Sequence, residues 1–392
     1  MNKLVGKAKQ ILFVLLGITI PISIGITNLI IGLLSLCWIL EGNFKSKFEF
    51  IRSSKWMLSI FALIGLYVLG LFWGDNHLNA EWQFQRLALL LVFPVFITLN
   101  LENKVLEKAV LAFLGVNFIA AILAIAINYT IIPPLYEFIS FMKYRWGVSA
   151  FLMYNYHNVM LVFSSSIILF TLIEMKVRYR ALFKVMLLVY VYSIFTEPGR
   201  AGQVLMIIIS LCYILFYNYK NYKRLTIILF LFFAFQATMY HVSPVYKDRV
   251  DMLHNIVVNK GMKGEVEDIR YVFVKESMKR ILKKPLLGYG TGSFGTIFNN
   301  EIESDYSFYT HTTPHNNYLY IWFELGILGL LLLLSIFYHQ IKELFKKQDG
   351  IHRTLLPLSF MFLMLVDSYF FIFTLTICYI FLYTIYRKYQ EV

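Results

Sequence analysis

Residues 309–334 read YTHTTPHNNYLYIWFELGILGLLLLL. Two histidines, His311 and His315, stand in a polar third that runs straight into a membrane-grade apolar run whose one acid is Glu324. Imidazole titrates near neutral pH and is expensive inside lipid, so a histidine where a helix enters the bilayer points to proton transfer at the water–lipid boundary. His315 could serve there as a general base, with His311 as a second candidate. The same stretch also reads as a plain helix start: Thr312 and Thr313 in the cap region, Pro314 early, and Gly326 and Gly329 permitting close packing.

The arginines divide in the same way. Arg200 follows Pro198-Gly199 at the start of an apolar run. Its planar fork suits phosphate, and a helix start favours an anion; it reads equally as an interfacial arginine that snorkels. Arg270 and Arg280 lie in DIRYVFVKESMKRILKK, residues 268–284, whose apolar positions Val272, Val274, Ile281 and Leu282 fit an amphipathic helix at the membrane surface, ended by Pro285. Arg86 serves as a snorkelling, helix-pairing or cavity-lining residue, and nearby His77 reads as solvated. His157 and Asn158, early in another apolar run, either bond helix to helix or line a cavity. Tyr318, Tyr320, Trp322 and Phe323 form an interfacial belt or a surface for sugar rings. No spacing of His, Cys, Asp or Glu forms a metal site, and Gly288-Tyr289-Gly290-Thr291-Gly292 follows a helix, unlike a nucleotide loop, and reads as a flexible turn.

What must position these groups is a membrane. Of 392 residues 59% are hydrophobic, and mean hydropathy is +0.65, well above a soluble domain. About twelve apolar runs are long enough to cross: 10–24, 26–41, 56–73, 85–101, 105–127, 148–173, 182–197, 200–217, 225–241, 317–338, 353–368 and 369–386. The first is a retained span, since no small-residue cleavage site follows it. The net charge of +13 gathers in alternate turns, among them Lys45, Lys47, Arg52 and Lys55, then Lys176, Arg178, Arg180 and Lys184, then Lys220, Lys223 and Arg224. This is a positive-inside bias and no sign of nucleic acid; it places both termini in the cytoplasm. The predicted organisation is helices 1–9 over residues 1–241, an external, partly helical loop over 242–316, and helices 10–12 with the tail over 317–392. That loop carries ten Lys/Arg against nine acids, and 293–314 reads as unstructured.

The order of motifs now adds a resemblance. His315-Asn316, nine residues, then Gly326-Ile-Leu-Gly329-Leu330 is similar to the hallmark of the O-antigen ligase and polymerase superfamily. Arg270, fifteen residues ahead of Pro285-Leu-Leu-Gly288-Tyr-Gly290, resembles that family's arginine and Pro-x-x-Gly-x-Gly segment. Thr196-Glu-Pro-Gly-Arg200-Ala-Gly resembles its arginine at the outer start of a span.

The resemblance implies an all-α integral membrane fold of the membrane glycosyltransferase type, in a bacterial inner membrane. It implies a metal-independent, inverting glycosyltransferase with no cofactor. The expected donor is a glycan on polyprenyl diphosphate; the expected acceptor is lipid A core or another glycan at the periplasmic face. His315 would be the base and Arg200 and Arg270 the diphosphate clamp. His311, Arg86, Arg280, Asn316 and Asn158 stand as secondary candidates, and Gly326 and Gly329 as structural positions. A polymerase joining lipid-linked repeat units is the alternative. A transporter ranks third, because no inverted repeat is present.

Overall fold

The computed structural model describes residues 2–74, 80–135, 149–174, 179–258, 269–301 and 312–389. His311 and His77 lie outside the described residues. Of the described residues 83% are helical, and none forms a strand. In chain order the helices are α1 (Asn2–Thr19), α2 (Ile24–Glu41), α3 (Phe44–Ser53), α4 (Lys55–Leu69), α5 (Ala80–Leu87), α6 (Val92–Thr98), α7 (Asn103–Asn128), α8 (Tyr154–Glu174) and α9 (Arg180–Thr196). Then come α10 (Arg200–Asn218), α11 (Tyr222–Val242), α12 (Pro244–Val258), α13 (Ile269–Ile281), α14 (Phe294–Glu301), α15 (Asn317–Phe345), α16 (Gly350–Val366) and α17 (Phe373–Lys388).

Each of the twelve predicted runs falls on helix. Eight segments have the length and composition to cross a membrane: α2, α4 with its final turn, α5 through α6, α7, α8, α10, α11 and α15. The other four runs are α1, with its three lysines, and α9, α16 and α17, which have 17, 17 and 16 residues.

Several boundaries move. The first helix covers 2–19, not 10–24, and ends before Pro21, whose ring disfavours helical backbone just ahead of it. The fourth run is a broken helix, with a tighter turn over Ala88–Leu91 between α5 and α6. The stretch after 293, expected as loop, begins with α14, and α12 forms where no element was predicted.

Two compact units emerge: residues 1–13, 28–106 and 264–392, and residues 14–27 and 107–263. In the first, α15 packs along α4 and α16. Within a bilayer, helices gain little from burying apolar area, so close packing and polar ties hold them. Here they are aromatic: Tyr379 stacks on Phe360 at 4.3 Å, and Trp56 meets Phe93 and Tyr383 edge-on, each at 5.2 Å. Such pairs contribute about 0.5–1.5 kcal/mol apiece. Glu343 closes one end, accepting from Trp56 Nε1 and Arg387 Nε, each at 2.7 Å. In the second unit α8 is central and packs on α9 and α10; its Ser164 and Ser165 are fully buried, small enough for close approach.

Candidate active site

His315 sits in the left-handed region (φ 49°), immediately before α15. A non-glycine residue there is uncommon and costs about 1–3 kcal/mol unless its surroundings fix it. The surroundings do fix it, through the break between α16 and α17. The His315 Nδ1 donates to Asp367 Oδ1 at 2.8 Å, and the Ser368 amide donates to the same oxygen at 2.7 Å. Asn317 Oδ1 accepts from the Phe370 amide at 3.0 Å, and Tyr318 hydroxyl donates to Met361 O at 2.9 Å. His315, Asn317 and Tyr318 are thus tied to one corner of the fold.

Asn316, not Thr312 or Thr313, is the helix cap. Its Oδ1 accepts from the Tyr318 and Leu319 amides, both at 3.0 Å, while its Nδ2 donates to Leu365 O at 3.1 Å. One side chain therefore satisfies the start of α15 and the end of α16. Asn316→Ala is expected to destabilise the protein by about 1–2 kcal/mol. Asn316→Asp, which keeps the cap and loses only the donor, should fall between the two. Thermal unfolding in detergent checks this; an alanine variant with the wild-type midpoint would remove the clamp.

Asp367 was not among the candidates. Its signal was available: it is the sole acid between Asp349 and Glu391, in an otherwise apolar stretch. Its effect on His315 is chemical. A carboxylate that accepts from Nδ1–H fixes the tautomer, so Nε2 carries the free lone pair. The His315 side chain is 42% exposed against 17% for Asp367, so the pair has a half-buried support and an accessible base.

The loop helix α13 covers one side of His315. The Phe273 ring lies 5.4 Å from the imidazole and 5.2 Å from Phe298 of α14. The face of α13 that turns inward is Val272, Phe273, Ser277, Arg280 and Ile281; Val274 and Leu282, expected on the apolar face, are exposed. Arg280 is consequently a packing residue: its guanidinium donates to Glu276 at 2.7 Å and lies over the Phe298 ring. That hydrogen bond holds the Glu276 carboxyl below its ordinary value. Arg270, on the first turn of the same helix and one turn before Phe273, is exposed. Arg86, half-buried in α5, lies over the Trp82 ring.

The glycine segment 288–292 is no flexible turn. Tyr289 and Gly290 donate their amides to Phe323 O and Glu324 O at 2.9 and 2.8 Å, and Ile327 N donates to Pro285 O at 2.9 Å. The segment inserts into a break in α15 at Gly326 (φ 66°, ψ −165°). It also ties to α4, where Thr291 hydroxyl donates to Tyr67 O at 2.5 Å. The loop is thereby fastened two turns below the His315 entry point. Glu324 is fully buried at this break, its Oε1 facing the Phe294 amide at 3.5 Å.

In the second unit Arg200 opens α10 and is exposed. The corner behind it is a buried polar cluster: Glu197 Oε2 lies 3.2 Å from His157 Nδ1, and Ser193 hydroxyl donates to Glu197 Oε1 at 2.5 Å. Gln203 Nε2 donates to Glu197 O at 2.9 Å. Asn158 is fully buried, donates to Ile194 O at 3.1 Å, and is pressed against Gly199 and Gly202. It is a helix-to-helix bond, and the two glycines exist to admit it.

Among the described residues, no three His, Cys, Asp or Glu side chains converge on a metal position.

The fold and this site define a polytopic membrane protein with a histidine–carboxylate pair at a helix entry. Residues 185–334 match the family model described as O-antigen ligase, which bears out the resemblance over the segment carrying Arg200, Arg270, His315, Gly326 and Gly329. Members are glycosyltransferase-like enzymes of ligase or polymerase type, acting on lipid-linked glycans and their acceptors. No curated protein matches the chain.

Proposed function

We propose that the protein transfers a polysaccharide from a polyprenyl-diphosphate carrier to lipid A core at the periplasmic face of a bacterial inner membrane. The observation that carries this reading is the His315–Asp367 pair, a base with a fixed tautomer and an accessible Nε2. The acceptor hydroxyl gives its proton to His315 Nε2 as its oxygen attacks the anomeric carbon. The bond from that carbon to the diphosphate oxygen breaks, and configuration inverts. Arg270, on the helix that covers His315, and Arg200, assigned on the resemblance alone, stabilise the charge on the departing diphosphate. Diphosphate is a good leaving group, so the step calls for no metal. The proposed topology keeps 1–241 and 317–392 as the helical body, with both termini cytoplasmic, and 242–316 as the external loop.

The surface glycans of a deletion strain test the assignment. The expected result is lipid A core without polymer while polymer still accumulates on the carrier. Single repeat units alone would transfer the reading to the polymerase, which shares donor, topology and motifs. An unaltered profile would sink both.

A further inference from the structure

The second unit holds a cavity lined by none of the residues assigned to glycan transfer. It lies between α8, α9, α10 and α11 and has a volume of about 660 Å³, within the roughly 300–1,000 Å³ typical of small-molecule sites. Its walls are almost wholly apolar along the helices. The outer wall, α11, is barely packed: 6% of its apolar window is buried, and Met239 is its one buried residue.

The two ends of the cavity differ. At one, Phe235 meets Phe195 edge-on at 5.6 Å, and Tyr246 hydroxyl donates to Gln236 Oε1 at 2.7 Å. At the other, where α10 ends and α11 begins, stand Tyr217, Asn218 and Arg224. Asn218 Nδ2 donates to Ile214 O at 2.8 Å, while its Oδ1 has no hydrogen-bond partner among the described residues. The Arg224 guanidinium is exposed, and among the described residues no acid pairs with it. Lys220 and Lys223 stand near it in sequence, the Lys220 ammonium over the Tyr219 ring, and Arg224 is the cation that lines the cavity.

We infer that this groove holds one anionic phospholipid, its chains between α11 and the α8–α10 wall and its phosphate at Arg224. Helices in a bilayer cohere by close packing, and an apolar gap between them must be filled by something apolar and adaptable. Acyl chains meet that need. Arg224 selects the headgroup: a net anion is attracted, whereas a zwitterion presents its own ammonium to the guanidinium. By the charge bias this end lies at the cytoplasmic leaflet, where anionic lipids attract such residues by about fivefold for each one. A polyprenyl diphosphate presenting its head at the opposite face would find Arg224 at the wrong end. The inference stands apart from glycan transfer and can fail without it.

The test uses the full chain, extracted from vesicles of equal phosphatidylglycerol and phosphatidylcholine, with bound lipid counted by native mass spectrometry. One phosphatidylglycerol retained in preference to phosphatidylcholine is expected. Arg224→Gln should lower that retention about fivefold, and Arg224→Gln with Lys223→Gln about 25-fold. Arg224→Lys, which keeps the charge, should keep the lipid. Ser210→Trp, which fills the groove, should release it. Equal retention of both lipids, unchanged retention in Arg224→Gln, loss in Arg224→Lys, or preference for polyprenyl phosphate added to the same vesicles would each overturn the inference.

Discussion

His315→Ala is expected to lower transfer by roughly 10²–10⁴-fold in protein reconstituted with a lipid-linked glycan and an acceptor, the span that a positioned base supplies. The loss should fall on kcat, because the proton moves only as the new bond forms. His315→Asn is the companion variant. Asparagine tolerates the left-handed backbone that this position demands (φ 49°), so folding is preserved while the base is lost. The asparagine variant should elute and melt closer to the wild type than the alanine variant, and turnover that survives in both would sink the assignment. Asp367 sharpens the test. Asp367→Ala leaves the ring unsupported but free to present its lone pair from Nε2. Asp367→Asn can donate its own N–H to Nδ1, which forces the proton onto Nε2 and removes the base. The asparagine variant should therefore be no more active than the alanine variant, although it resembles aspartate more closely in shape. An Asp367→Asn enzyme markedly faster than Asp367→Ala would show that the carboxylate only props the corner between α16 and α17.

This pair marks where sequence reading reached its limit. Apolar runs are local, so the helices could be read directly, down to α16 and α17 as separate elements joined near Asp367. His315 was legible because a titratable ring ahead of a 20-residue apolar run has few structural uses. Its partner was not, because 52 residues separate Asp367 from His315 and only the folding of α15 beside α16 brings them together. Arg280 was equally out of reach: its charge made it a candidate beside Arg270, and only the tertiary packing of α13 buries it against Phe298 with Glu276. Asn158 was open between two uses until Gly199 and Gly202 were seen pressed on it. The glycines at 288, 290 and 326 were read as flexibility or packing, when each is a positive-φ position in one backbone joint.

That joint carries the other large effect. Gly326→Ala is expected to destabilise the protein by about 3–5 kcal/mol, enough to abolish accumulation of folded protein for most membrane domains. Two costs act together. The backbone at φ 66° and ψ −165° lies in a region that is essentially closed to side chains. A Cβ there would stand 2.0 Å from Leu286 O and 2.3 Å from its carbonyl carbon, and these are backbone atoms with nowhere to move. Leu286 cannot withdraw, because Pro285 O beside it accepts from both Ile327 N at 2.9 Å and Trp322 Nε1 at 3.1 Å. Withdrawal would also strand Phe323 O and Glu324 O, whose helix partners were given up at the break and replaced by the amides of Tyr289 and Gly290. Gly329→Ala should cost less, since its backbone is not at positive φ and its Cβ would meet no carbonyl, but it should still cost, because that Cβ would stand 2.5 Å from the Leu325 Cβ, which side-chain rotation cannot move. Gly65→Ala, with nothing within 4 Å, should be neutral. Folded yield and melting temperature across the three variants give the ranking, and a Gly326→Ala protein as stable as Gly65→Ala would mean the loop does not enter α15. If the ranking holds, the Pro-x-x-Gly-x-Gly segment and the paired glycines after His315 are one device: a backbone splice that fastens the external loop to the helix whose entry point carries the base.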